Sequence, residues 1–340
     1  MSATSVQAGN ADNGGKVSMW QAVNWALDDA LAADPRVLVF GEDVADPEGG
    51  GVVGITKGLS TKHGGLRVRS TPISEQAIIG AAIGAAIAGM RPVAEIMLMN
   101  FTTVAMDMIV NHAAKLRFMS GGQTHVPLVI RTMTGAGTSN GGQHADFLEA
   151  WFAHTAGLKV VIPSNAADAY GLMLSCIADD DPCIFIENLP TLRAAATTAP
   201  ERGKAIPLGK AKVVRGGQDV TVITYSRQVN DAVKVAEKLA GESIDVEVID
   251  LRTISPLDMP AILESVGRTG RAVVVHEATK SFGVGAEIAS RLNEALFGKL
   301  KAPVQRVGSA FCAVPFSKPL ETAFVPGQAE IEAAIRNTLR

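Results

Sequence analysis

A chain of 340 residues with 47% hydrophobic and 19% charged residues is long and apolar enough to build two domains, each with a sizeable core. Its formal net charge of −3, without a basic cluster, argues against nucleic acid or an anionic membrane surface as partner. Aromatic residues make up only 5%, so Ala, Gly and Val do the packing. The three cysteines, Cys176, Cys183 and Cys312, sit at no metal-ligand spacing, which points to a reducing compartment without a disulfide framework.

Residues 1–15 are small and polar, with neither the apolar core of a signal peptide nor the arginines of a transit peptide. They read as a disordered tail, and a cytoplasmic, bacterial location is expected. Residues 18–33 place Met19, Ala22, Val23, Ala26, Leu27 and Ala30 on one helical face, with Ser18 as cap. The run VLVF within 36–41 predicts a buried parallel strand ending in Gly41, Glu42 and Asp43. Ligands bind at such strand ends in open α/β sheets, although a loop acid is most often only solvated. The segment GGGVVG at 49–54 lacks the Lys and Ser/Thr of a phosphate-binding loop and reads as a surface loop.

The stretch 69–101, RSTPISEQAIIGAAIGAAIAGMRPVAEIMLMNF, organises the rest. Thr71 and Ser74 are cap residue types, so Glu75 falls in the first turn of a helix. An acid there is ordinarily a cap or a complement to the helix dipole. This helix, however, is apolar all round from 77 to 90 apart from its glycines, which predicts burial and a carboxylate that little can hydrate. The run falls short of a membrane span of about 20 residues. Gly80, Gly84 and Gly89 lie within the helix rather than in a turn before it, so they suit close helix packing and not the dinucleotide fingerprint; a nicotinamide-dependent dehydrogenase is disfavoured.

A second strand is predicted at 91–97, running out through Met99, Asn100 and Phe101, then a helix at 102–118 and a third strand, VPLVIR, at 126–131. The long small-residue loop that follows carries His144, at the end of a strand where a site is natural, though a lone loop histidine is more often a surface residue. A strand at 158–162, a helix at 166–178, the turn Asp179–Asp180–Asp181 and the strand CIFIEN complete the first unit. Periodicity fades from 189 to 206, as in a linker. Strands at 219–225, 245–250 and 271–276 then alternate with helices at 228–240, 257–266 and 286–296. The fold class expected is α/β, two tandem doubly wound domains with mostly parallel sheets.

With GEDV at 41–44, TPISEQAIIGAAIGAAIAGMRPVAEI at 71–96, AAKLRFMSGG at 113–122, GLKVVIPSNAADAYGLM at 157–173 and DDDP at 179–182, the chain from Ser18 onward resembles a known family. It is similar to the beta subunit of the thiamine-diphosphate-dependent decarboxylase component of 2-oxo acid dehydrogenase complexes, which act on pyruvate, branched-chain 2-oxo acids or acetoin. The resemblance implies a pyrimidine-binding domain at 16–190, a linker at 191–207 and a transketolase-like carboxyl-terminal domain at 208–340. It implies that Glu75 hydrogen-bonds the pyrimidine ring nitrogen of thiamine diphosphate and favours its imino tautomer, that Ile73, Met97 and Phe101 line the ring's pocket, and that Glu42 lies near the cofactor at a subunit interface. His144 corresponds to the histidine that faces substrate and lipoyl group. The family's usual Ser and Gln after it are Ala145 and Asp146 here, which bears on the substrate. Asp179 and Asp181, with main-chain oxygens near Leu128 and Cys176, correspond to a potassium-binding loop in some members. The GDG…N motif that holds the diphosphate through Mg2+ occurs nowhere in the chain, so an alpha subunit is expected to supply it in an α2β2 heterotetramer. The carboxyl-terminal domain is expected to serve beta–beta dimerisation and docking to the lipoyl acyltransferase core, with His276 and Glu277 as scaffold. Acetoin cleavage is the alternative activity, and a non-catalytic assembly subunit the alternative of another class.

Overall fold

The computed structural model of the chain describes residues 15–340 apart from 193 and 195, so the tail expected at 1–15 lies, but for Gly15, outside the described residues. The first helix, Met19–Ala33, starts where a reciprocal cap forms: the Gln21 amide donates to Ser18 Oγ, and the Ser18 amide to Gln21 Oε1. Its apolar face packs on the helix Ala166–Ala178 and the sheet beneath.

That sheet has seven strands in the order Thr253–Ser255, Lys159–Val161, Cys183–Asn188, Val129–Thr134, Arg91–Leu98, Val37–Gly41 and Val68–Ser70. All pairs are parallel except the first. The strands read as unbroken apolar runs because helices cover both faces. A second, five-stranded sheet follows the order Gln305–Ser309, Ala272–Thr279, Val220–Thr224, Val246–Asp250 and Lys212–Arg215, of which only Lys212–Arg215 is antiparallel. Two tandem α/β units with mostly parallel sheets are thus the architecture.

The units are stitched together. Thr253–Ser255, from the second unit, closes the edge of the first sheet, beside the ion pair of Arg252 with Asp168 and the Ser164 hydroxyl donating to Asp250. The expected linker is docked rather than free: Thr197–Thr198 pairs with Lys16–Val17, Ile206 N donates to Gly171 O, and Arg202 pairs with Asp29.

Two expectations need correction. Residues 102–118 do not form one helix; 3-10 turns at Met99–Ala105 give way to a π-helical stretch Met108–Ala113 and a short helix Leu116–Met119. The second concerns the helix Glu75–Ile87, which is not buried all round. Ile78, Ile79, Ala82, Ile83 and Ala86 face the core, while Gln76, Ala77, Ala81, Gly84 and Ile87 are exposed. An all-apolar helix needs cover on both sides, and this chain supplies only one.

Beneath the carboxyl edge of the first sheet lies an ionic triad that periodicity did not reveal. Arg131, 1% exposed, donates through Nε and Nη2 to Glu187 at 2.7 and 3.1 Å and through Nη1 to Glu95. Burial outweighs the guanidinium's attraction and holds both carboxyls above the ordinary carboxylate range. Removing the cation would leave two buried acids facing each other. Arg131→Met is therefore expected to destabilise the chain by about 3–5 kcal/mol in urea denaturation; a loss below about 1 kcal/mol would show that the triad holds nothing together.

Candidate active site

Four adjacent strands of the first sheet deliver the candidate residues to one edge. Val129–Thr134 leads into the loop with His144, Arg91–Leu98 carries Met97 and leads to Phe101, Val37–Gly41 ends at Glu42, and Val68–Ser70 runs through Thr71, Pro72 and Ile73 into the Glu75 helix. Parallel strands put their carboxyl ends on the same side, so residues far apart in sequence meet there.

Glu75 opens its helix behind Ser74, which occupies the cap position without making a side-chain bond to the backbone. The carboxylate is half-buried, not dry as the sequence implied. Glu42 is close enough to feel it: burial first, and the Glu75 charge second, push the Glu42 carboxyl above its ordinary range. Asp43, beside it, takes a left-handed backbone at φ 59° that turns the chain back over the strand end. Met97 and Phe101 are half-buried, and the helix from Glu75 packs on the turns that hold Phe101. Phe101 meets His144 edge-on, ring centroids 5.5 Å apart at 78°. Ile73 is 82% exposed.

The residues after His144 have their own partners. Ala145 is buried against Ala136, Val314 and Phe324, and the Asp146 carboxylate accepts from Asn100 Nδ2 at 2.9 Å while the Asp146 amide donates to Asn100 Oδ1 at 3.2 Å. The loop is thus pinned to the turn that carries Phe101. The sequence singled out Asp146 but gave no sign of its bonds to Asn100, which lies 46 positions away.

The acidic turn is an ion-pair cluster. Asp179 pairs with Lys159 at 2.6 Å, Asp180 with Arg91 at 2.7 Å and Asp181 with Arg117 at 2.6 Å, while Leu128 O accepts from the Cys183 amide and Cys176 O from the Asp179 amide. The oxygens named for a cation are engaged, and among the described residues no group of three His, Cys, Asp or Glu is placed to hold a metal. All three cysteines are free thiols.

A cleft of about 790 Å3 opens elsewhere, between the units, lined by Trp151, Phe282, Phe311 and the segment from Ala145 to Leu148. It does not include Glu75. The residues that the sequence singled out at the Glu75 edge therefore lie outside this cleft, while those just after His144 line it.

Residues 15–194 match the family of the transketolase pyrimidine-binding domain, and residues 209–331 that of the transketolase carboxyl-terminal domain. The beta subunit of an acetoin:2,6-dichlorophenolindophenol oxidoreductase from Cupriavidus necator is 45% identical over 333 residues, 96% of this chain and 98% of that one. The beta subunit of the pyruvate dehydrogenase E1 component of Staphylococcus epidermidis is 41% identical over 95% of this chain and 99% of its own, and a mitochondrial E1 beta subunit of Arabidopsis thaliana 42% over 96% and 89%. The chain belongs to the transketolase-like family of E1 beta subunits. Among solved structures, a split-gene transketolase described as an inactive beta4 tetramer superimposes with a TM-score of 0.76 at 20% identity, covering 96% of this chain and 99% of that one, which is likeness of fold.

An E1 beta subunit built this way has a polar seam behind the His144 loop. The Tyr225 hydroxyl donates to Glu149 Oε1 at 2.6 Å, Tyr225 stacks on His276 at 6.2 Å, and Glu149 Oε2 and His276 Nε2 lack hydrogen-bond partners among the described residues. Burial drives the Glu149 carboxyl up to about 7 against the Tyr225 bond, and drives His276 down to about 4. A raised acid contributes stability that is present below the ordinary pKa of 4.5 and is lost as pH rises through about 7. His276 works in the opposite sense, its contribution being lost as pH falls from 6.5 through about 4. Because the two contributions oppose each other, Glu149→Gln, which removes only the acid's, is expected to make the melting temperature rise more steeply with pH between 4.5 and 7 than in wild type; parallel pH profiles for the two proteins would contradict the buried neutral acid.

Proposed function

We propose that this chain is the beta subunit of a thiamine-diphosphate-dependent dehydrogenase that cleaves a short 2-oxo acid and passes the acyl group to a lipoyl acceptor, and that it acts only with an alpha subunit. The observation that carries the proposal is the convergence of Glu75, Glu42, Met97, Phe101 and His144 on adjacent strand ends, with Ile73 left exposed beside them.

This edge suits the aminopyrimidine end of the cofactor: a flat apolar wall with an acid at one end. The sequence lacks the GDG…N motif that holds the diphosphate through Mg2+ in the family it resembles. The magnesium ion and the diphosphate therefore fall to the alpha subunit. The bare face of the Glu75 helix supports the same division, because Ala77, Ala81 and Gly84 let a partner helix approach closely and no atom stands where a Gly84 side chain would be. An α2β2 assembly that docks on a lipoyl acyltransferase core is the arrangement we propose.

Thiamine diphosphate, when bound, supplies the electron sink that lets the bond between the substrate's carbonyl carbon and its carboxylate break. Glu75, in the first turn of its helix, would hydrogen-bond the ring nitrogen. Glu42 stands close by, its carboxyl pushed above the ordinary range by burial first and by the Glu75 charge second. Ile73, Met97 and Phe101 exclude water once the second wall is in place. His144, held edge-on by Phe101, moves protons on the substrate side. Acetoin cleavage is the second reading, favoured by the acetoin oxidoreductase relative at 45% identity. The choice is tested by screening the reconstituted pair with pyruvate, longer 2-oxo acids and acetoin, using an artificial electron acceptor. Turnover of one class with thiamine diphosphate, lowered at least about 100-fold in Glu75→Gln, is expected. An unimpaired Glu75→Gln would refute the assignment of the acid, and an assembled pair with no turnover would favour a non-catalytic assembly subunit.

A further inference from the structure

Carboxylates of the second unit hold the loop that carries His144, and neither of them lies among the residues that face the cofactor or substrate in the reading above. Past Thr134 the backbone turns through left-handed conformations at Gly135, Gly137, Ser139 and Gly141, with φ of 117°, 124°, 59° and 72°. Ser139 is the one non-glycine of the four, an arrangement that something must hold in place. The backbone amides point away from the first unit. Glu321, 1% exposed, accepts from the amides of Gly137 at 2.5 Å and Ser139 at 3.0 Å. Glu277 accepts from the Ala136 amide at 2.7 Å and from Asn188 Nδ2 at 2.9 Å. The carbonyls are held by cations: Arg227 Nη1 donates to Ala136 O and Lys318 Nζ to Gly137 O, both at 2.8 Å. Successive amides wrapped round a carboxylate form a backbone nest, with the protein's own glutamate as the anion.

The hold reaches the histidine. Ala145, the residue after His144, packs on Phe324 of the helix Lys318–Phe324, which also bears Glu321, and the Phe316 ring lies over Gly141. On its other side the loop is tied by Asp146 to Asn100, next to Phe101. His144 thus lies between an anchor in each unit.

We propose that Glu321, with Lys318, is a positioning residue for the reaction: it fixes the loop so that His144 faces the substrate, and so makes the second unit part of the catalytic apparatus. The proposal rests on the role given to His144 above.

The test uses the reconstituted alpha–beta pair carrying His144→Ala, Glu321→Ala, Glu321→Gln, the double variant H144A/E321A, or Lys318→Met. Glu321→Ala is expected to lower kcat about 10- to 100-fold, with KM and thiamine diphosphate affinity changed by less than about threefold, because a loop displaced by about 1 Å costs chemistry before binding. Glu321→Gln keeps an oxygen that both amides can use and should recover most of the rate, to within about threefold of wild type. The double variant should be no slower than His144→Ala, since a residue acting through the histidine has nothing left to position. Independent, multiplying losses in the double variant, or full activity of Glu321→Ala beside a crippled His144→Ala, would overturn the proposal alone. Full activity of His144→Ala would overturn the reading of the histidine and this proposal with it. If Glu321→Ala fails to assemble, the exposed Lys318→Met decides: a kcat loss of about two- to fivefold that vanishes in the His144→Ala background supports the proposal, and wild-type turnover contradicts it.

Discussion

One guanidinium shared by two buried carboxylates is the constraint under everything else. Glu95, Arg131 and Glu187 sit on three neighbouring parallel strands, and their bonds cross the ladder just below the edge where Glu42, Met97, Phe101 and His144 emerge. An apolar layer would satisfy the core as well and would cost less desolvation. What the ions add is direction: a guanidinium fork accepts only certain placements of its carboxylates, so the three strands are held in one relative position. The loop at Gly51 lies against Glu95 as well, where an added side chain would come within 3.3 Å of Oε1, so the segment over Glu42 follows the same anchor.

The edge so fixed is one-sided. Glu75 is half-exposed, Ile73 is bare, and the helix behind Glu75 shows small residues to solvent along the face opposite its core. In a monomeric enzyme such features would be defects; under the function proposed above they are the face that a partner subunit covers. The buried polar groups lie instead on the seam with the second unit, where Tyr225 meets Glu149 and Glu277 meets the loop at Ala136. The second unit therefore does more than support: through Glu277 and Glu321 it touches the same loop that the first unit presents.

Much of this was legible in the sequence, and what was not follows a pattern. Apolar runs and caps placed the strands Cys183–Asn188 and Val37–Gly41 and the helices Ala166–Ala178 and Gln228–Ala240 closely, since each is governed by its own residues. The antiparallel pairings of Thr253–Ser255 and Lys212–Arg215 were not foreseen, because pairing direction depends on where a distant strand lies. Glu75 was expected to be dry because an all-apolar helix implies cover; this chain covers only one side of the helix, which composition cannot reveal. Arg131 stood in plain view at the end of VPLVIR, but its meaning needs Glu95 and Glu187, 36 and 56 positions away. Likewise Glu277 read as scaffold until its carboxylate was seen to accept from Ala136 and Asn188.

The central claim is that this chain holds half of a cofactor site, and calorimetric titration with thiamine diphosphate and magnesium measures it directly. The chain alone is expected to show no saturable heat, and the chain combined with its alpha subunit one binding event per alpha–beta pair. Tight, stoichiometric binding by the chain on its own would contradict the account, for it would mean that the wall opposite Ile73 and Glu75 is not needed.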